Sequence, residues 1–348
     1  MSEPRPIPLS LPWFEEREEA RVREALRGRV AGDGPFCRKV ERRLAEMLGA
    51  PRVLLTTSCT HALELALLAL GIGPGQEVLC PSFTFVSTAN AVLRVGARPV
   101  FVDIEDATLG LDPLDSERRL TPRTTAMIPV HYAGYAAPMP DLLALARRHG
   151  LKVVEDAAQG LGASLNGRPL GTEGDAGCFS FHETKNLTCG EGGALALRDE
   201  TVARRAEIIR EKGTNRGAFL RGEVDKYTWV AEGSSYVLSD VLAAILDAQL
   251  DKAGEIAERR SSDHIFHLLL PDEAARDRCV EALRRRGVLA TFHYVPLHSS
   301  PKGRALGAEG AFPVSERVAR TLLRLPLHPL LGEDEVERVV DAVRGSLA

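Results

Sequence analysis

Between residues 53 and 197 the chain repeatedly changes its hydrophobic period, and that alternation leaves few folds open. Short apolar runs at 53–55, 77–80, 98–103, 126–129 and 151–155 are separated by stretches at 61–70, 87–95 and 139–149, where apolar residues recur every three or four positions. Runs of that length suit strands, and the intervening spacing suits amphipathic helices. A strand that returns through a helix pairs parallel to its predecessor, with helices covering the sheet. The pattern predicts an α/β fold with a mainly parallel sheet covered on both faces. Residues 179–181 and 193–197 read as two more strands and 200–212 as another helix. Two helices, at 15–28 and 36–49, come before the sheet and are parted by the breakers Ala31-Gly-Asp-Gly-Pro35. A long helix at 239–260 leads to a strand at 265–270, a helix at 272–286, a strand at 290–294 and closing helices at 315–323 and 333–347. That succession predicts a large domain over 1–250 and a smaller α+β domain over 251–348.

Composition narrows the function classes. With 348 residues and 44% apolar side chains the chain can bury an ordinary core without staples. The net charge of −4, from 44 basic and 48 acidic residues, and the lack of a long like-charge run argue against nucleic acid as a partner. Six cysteines without a CxxC pair indicate neither a metal site nor a disulfide framework, and reduced thiols of a cytoplasmic protein are the expectation. The start, Met1-Ser-Glu-Pro-Arg5, is followed by prolines and charges rather than an apolar stretch, so a signal peptide is not expected. The longest mostly apolar segment, 62–72, contains Glu64 and is too short to span a bilayer, so no membrane partner is expected.

Chemistry is suggested by Lys185 in Phe179-Ser-Phe-His-Glu-Thr-Lys-Asn186 and by Asp156, which ends the run 151–155. Ligands of open parallel sheets bind beyond the carboxyl ends of the strands, where Asp156 falls. Together the two suit pyridoxal phosphate, the lysine taking the aldehyde and the acid keeping the ring nitrogen protonated. Alone, Asp156 reads equally well as a helix cap and Lys185 as a solvated surface charge. Thr57-Ser-Cys-Thr60, between a strand and a helix, is a candidate phosphate cradle, though such residues usually only cap. Ser180 is a second phosphate candidate. Phe83 and Phe85 offer rings for stacking, one of the two being expected in the core. Gln159, one helical turn beyond Asp156, can point the same way. His131, His182, His293 and His298 can serve as acids, bases or sugar contacts, but structural roles are the commoner outcome.

Five blocks carry a resemblance: Pro81-Ser-Phe-Thr-Phe-Val-Ser-Thr-Ala-Asn90, Pro129-Val-His-Tyr-Ala-Gly134, Val154-Glu-Asp-Ala-Ala-Gln-Gly160, the Lys185 block and Ile209-Arg-Glu-Lys-Gly-Thr-Asn-Arg216. They resemble the DegT/DnrJ/EryC1/StrS sugar aminotransferases, and within them the group that makes dTDP-4-amino-4,6-dideoxygalactose. The resemblance implies the aspartate aminotransferase fold (fold type I) and a pyridoxal 5′-phosphate cofactor. It implies that Lys185 binds the aldehyde, Asp156 the ring nitrogen, Gln159 the ring oxygen, and Cys59, Thr60 and Ser180 the phosphate, with Phe85 stacked on the ring. L-Glutamate would donate the amino group to C4 of dTDP-4-dehydro-6-deoxy-D-glucose, in a homodimer whose sites take residues from both subunits. Amination at C3, the opposite configuration at C4, a cofactor-binding regulator without turnover, and a plain nucleotide-binding α/β protein are the alternatives. Two departures stand out. Val237, in Tyr236-Val-Leu-Ser-Asp240, replaces an asparagine that many relatives place near the phosphate, with Ser234 or Ser235 as candidate substitutes. The chain also passes from Arg260 directly to Ser261-Ser-Asp-His264, where relatives insert a further segment, so the small domain is expected to be shortened there.

Overall fold

The computed structural model describes residues 5–260 and 264–347. Helices α1 (Glu16–Ala25) and α2 (Pro35–Leu48) come first. Then β1 (Arg52–Thr56), α3 (Cys59–Ala69), β2 (Glu77–Pro81), α4 (Val86–Arg94), β3 (Arg98–Val102), α5 (Pro113–Arg118), β4 (Thr124–Met127), α6 (Met139–His149) and β5 (Lys152–Asp156) alternate. A small hairpin of β6 (Ser164–Leu165) and β7 (Arg168–Pro169) precedes β8 (Ala176–Ser180) and β9 (Gly193–Leu197). Helices α7 (Glu200–Arg210), α8 (Arg216–Leu220), α9 (Asp240–Asp251) and α10 (Ala253–Arg260) follow. The C-terminal part contains β10 (Phe266–Leu269), α11 (Glu273–Arg285), α12 (Pro301–Ala305), α13 (Pro313–Thr321), β11 (Leu322–Leu325) and α14 (Glu333–Leu347).

The main sheet has seven strands in the order β1-β9-β8-β5-β4-β2-β3. It is parallel from β8 through β3, and only β9 runs against its neighbours. Alternate side chains face opposite layers, as a pleated strand requires. Leu54, Cys178, Leu195 and Leu197 join α3 and α7 in one apolar core, while Val53, Leu55, Phe179 and Ala194 join α2 and α9 in another. Two-sided burial of this kind is why these strands read as continuous apolar runs. A separate core unites β10, β11, α11 and α14 with Ile7 from the N-terminal arm, which bridges to Val288.

Several predicted elements change form. The helix expected at 239–260 breaks at Lys252, a fully buried residue whose Nζ donates to the Trp13 carbonyl (2.7 Å) and pairs with Glu18 (2.8 Å). Residues 322 and 323, expected to end the helix at 315–323, instead begin β11, which pairs antiparallel with β10. The strand expected at 290–294 reduces to a single bridge from Thr291 to Arg324. In both places pairing across the fold overrides the local pattern, as is common for short apolar runs.

Two helices take their N-terminal caps from distant aspartates. Gly34, before α2, has no side chain to offer, and the buried Asp240 accepts from the Cys37 amide at 2.8 Å. Phe312 cannot cap α13, and Asp103, just beyond β3, accepts from the amides of Val314 (3.0 Å) and Ser315 (2.8 Å). Each cap satisfies amides that a helix cannot satisfy internally.

Candidate functional site

The carboxyl ends of β5 and β8 lie side by side, with Asp156 opposite Cys178 in register, so Asp156 and Ser180 reach the same edge of the sheet. The loop after β1 brings Ser58, Cys59 and Thr60 to that edge, and the loop after β2 brings Phe85. Between β8 and β9 the chain turns tightly: the Lys185 amide donates to the His182 carbonyl (2.9 Å) and that of Glu183 to the Gly190 carbonyl (2.9 Å). All seven residues for which a cofactor role is expected, Cys59, Thr60, Phe85, Asp156, Gln159, Ser180 and Lys185, line one cavity of about 530 Å³.

Asp156 is buried. Its Oδ2 accepts from the Thr88 hydroxyl (2.8 Å) and its Oδ1 from the Ala158 amide (3.2 Å). No helix begins after it, so it caps a turn while keeping its carboxylate on the cavity. Burial pushes this carboxyl up, and Thr88, Ala158 and Lys185 oppose the shift. Its neighbour Glu155 faces away into a closed network. Glu155 accepts from His131 Nε2 (2.8 Å) and from the amides of Gly171 (2.9 Å), Glu173 (2.7 Å) and Gly174 (2.6 Å). Burial pushes the Glu155 carboxyl up, but His131 and these amides prevail and hold it below its ordinary value. His131 is thus committed to structure, its Nδ1 accepting from the Ala137 amide (3.1 Å).

The Lys185 amine is drawn down from 10.5 to about 8, first by burial, against the opposing pull of Cys59 and Asp156. A lysine with that value offers roughly a tenth of its population as the neutral nucleophile at pH 7, far more than an ordinary lysine does. Gln159 is held at both ends: its Oε1 accepts from the Ala133 amide (2.7 Å), and its Nε2 donates to the Tyr294 hydroxyl (3.2 Å) and keeps a second hydrogen. Ser58 caps α3 by accepting from the His61 amide at 3.1 Å. The first amides of a helix have no partner within it, and here Ser58, Cys59 and Thr60 present that end to the cavity. The cradle depends on Gly193 of β9, where a Cβ would collide with the Ser58 carbonyl and the Cys59 amide. Of the two phenylalanines, Phe83 is fully buried and Phe85 is 57% exposed on the cavity wall.

Of the four histidines, His182 and His293 line the cavity. His298 instead joins Ser82 (2.6 Å) and stacks on Phe312. Burial lowers His293 to about 3, so the ring is neutral. The sequence reading missed Thr88, Tyr294, His264 and Arg324. Thr88 lies within a quoted block and was detectable from the hydroxyl density there. Arg324 has no local signal, because it reaches the cavity only through the pairing of β11. Among the described residues no group of His, Cys, Asp or Glu can hold a metal ion, and no helix is long and apolar enough to cross a membrane.

The N-terminus of α3 with Ser58, Cys59 and Thr60, the buried Asp156 and Lys185 line one cavity, the kinds of group that the phosphate, ring nitrogen and aldehyde of pyridoxal 5′-phosphate would need. Comparison with known proteins points the same way. The model of the DegT/DnrJ/EryC1/StrS aminotransferase family matches residues 12–264 and 257–344, two pieces that overlap at the short junction after α10. The spore coat polysaccharide biosynthesis protein SpsC of Bacillus subtilis (strain 168) is 35% identical over 97% of this chain and 96% of its own. The aminotransferase TlmJ of Streptoalloteichus hindustanus superposes with a TM-score of 0.89 at 34% identity, covering 98% of this chain and 99% of that one. The PLP form of the putative sugar aminotransferase Spr1654 of Streptococcus pneumoniae gives a TM-score of 0.91 at 26% identity, covering 98% of each chain.

Proposed function

This chain belongs to the DegT/DnrJ/EryC1/StrS aminotransferase family of pyridoxal-phosphate-dependent sugar aminotransferases, and from that premise we propose that it moves the amino group of L-glutamate to C4 of dTDP-4-dehydro-6-deoxy-D-glucose. The product is dTDP-4-amino-4,6-dideoxy-D-galactose, made in the cytoplasm for a surface polysaccharide. The observation that carries this reading is the meeting of Asp156, Lys185 and the Thr60–Ser180 cradle in one cavity.

Pyridoxal 5′-phosphate supplies an aldehyde that takes up an amino group and a ring that withdraws electrons from the attached carbon. The protein's part is to bind, orient and move protons. Cys59, Thr60 and Ser180 would hold the phosphate, with the α3 N-terminus favouring its charge. Asp156 would keep the ring nitrogen protonated, its carboxylate aimed by Thr88 and Ala158. Gln159 would contact the ring oxygen with its remaining Nε2 hydrogen, and Phe85 would stack on the ring. Lys185 would bind the aldehyde, and its Nζ, when free, would take the proton from the donor α-carbon and deliver one to sugar C4. An amine near pKa 8 suits both directions.

A homodimer completes the site in this reading. Its support is the exposed apolar segment of Phe219, Leu220, Tyr227, Trp229 and Val230, Trp229 being 74% exposed. The test of the activity is spectroscopic. Glutamate should bleach the yellow of the cofactor-loaded protein, and the 4-keto sugar nucleotide should restore it. No change with glutamate would refute transamination, and NMR of the product from a panel of keto sugar nucleotides would fix the carbon aminated and its configuration.

A further inference from the structure

Lys185 is held by its own loop and, through its neighbour, by a residue far along the chain. Asn186 follows it directly, and Asn186 Oδ1 lies 2.9 Å from Nδ1 of His264, which stands just beyond the junction after α10. An amide oxygen only accepts, so the ring carries a proton on Nδ1 and donates it to Asn186. His264 is buried and lines the same cavity as Lys185. Burial, and after it the positive charge of Lys185, Arg260 and Arg324, holds the ring well below its ordinary pKa and therefore neutral.

The backbone of His264 is fixed on both sides. Its amide donates to the Ala133 carbonyl (3.0 Å), and its carbonyl accepts from Nη2 of the buried Arg260 (3.0 Å). Ala133 is itself buried at φ 58°, ψ 6°, a left-handed bend that is unfavourable for a residue with a Cβ and persists only where the surroundings over-determine it. The two polar groups of that bent residue have separate partners: the carbonyl takes His264, and the amide donates to Gln159 Oε1 (2.7 Å). Gln159, Ala133, His264 and Asn186 thus form one hydrogen-bonded chain from the cavity wall to the residue beside Lys185. We propose that His264, acting through Asn186, is a positioning residue for Lys185, bracing the loop between β8 and β9 so that the amine meets the cofactor aldehyde. This assignment rests on the reading of Lys185 as the residue that binds the cofactor.

The experiment compares two forms of the cofactor. Pyridoxal phosphate and pyridoxamine phosphate share the phosphate, the ring nitrogen and the ring hydroxyl, and only the aldehyde form can bond to a lysine. Full-length apoproteins of the wild type, His264→Leu, His264→Asn, Asn186→Ala and the double variant His264→Leu, Asn186→Ala are titrated with each form by fluorescence. Loss of one hydrogen bond predicts that His264→Leu and Asn186→Ala bind pyridoxal phosphate about 3- to 10-fold more weakly and bind pyridoxamine phosphate as the wild type does. The double variant should be no weaker than either single one, because both changes break the same contact. His264→Asn, whose amide can still donate from the place of Nδ1, should recover most of the affinity for pyridoxal phosphate. Asn186→Ala carries the test if His264→Leu does not fold. Equal losses for both cofactor forms, losses that add in the double variant, or unchanged affinity for pyridoxal phosphate would each overturn the assignment. Failure of borohydride to fix the cofactor on Lys185 of the wild type would instead remove the reading of the site itself.

Discussion

A single hydroxyl and a single amine set much of the chemistry proposed for the cavity. Thr88 donates to Asp156 at 2.8 Å and so supports the charged form of a buried carboxylate that burial itself disfavours. Thr88→Val removes that donor without changing shape, and should weaken cofactor binding about tenfold, one hydrogen bond to a charged group being worth about 1.5 kcal/mol or more. Fluorescence titration of the apoprotein with pyridoxal phosphate checks it, and equal affinity would exclude the role. Lys185 gives a pH prediction. Its amine is lowered from 10.5 to about 8, and only the neutral form attacks an aldehyde. Cofactor uptake by the apoprotein should rise about tenfold per pH unit below 8 and level off above it; a flat profile from pH 7 to 9 would contradict the environment described. At this scale the sequence was informative where residue types combine. Asp156, Lys185, Gln159 and the Thr57–Thr60 hydroxyls belong to short stretches after strands, the places a parallel sheet reserves for ligands. Arg324 was not legible, because its position depends on a strand pairing that no local period reveals.

Elements carry the precision of the cavity. The start of α3 rests directly on Gly193, so Gly193→Ala should push the phosphate cradle outward. The expected result is a larger loss of cofactor affinity than of thermal stability, read by titration and melting side by side. If the reverse held, α3 would be packing rather than positioning. The junction between α9 and α10 is a second such place. Lys252 is fully buried against Trp13 and Glu18, and Lys252→Met leaves the Glu18 carboxylate without its partner, an error expected to cost about 3–5 kcal/mol in denaturant unfolding. The double variant Glu18→Gln, Lys252→Met should recover part of it, since no buried charge then remains. The βαβ region was readable from period alone because both faces of its strands are buried. The region after residue 239 was less so: a continuous apolar helical pattern does not show that Lys252 will be drawn aside, nor that residues 322–325 will find β10.

The molecule as a whole leaves Phe219, Tyr227 and Trp229 exposed on one segment, the kind of apolar surface that a partner subunit would cover. Sedimentation should give a dimer, and Trp229→Arg should shift it toward monomer with loss of activity. A monomeric wild type with full activity would exclude a shared site. Assembly of each subunit has its own order, set by the two borrowed caps. The Cys37 amide is satisfied by Asp240, 203 residues further along the chain. At roughly 5–20 residues per second a ribosome needs about 10–40 s to make that stretch. Throughout that interval α2 has emerged with its first turn uncapped and its apolar face without α9 to cover it. The cap and the cover of α2 therefore both wait on residues made far later than the helix itself.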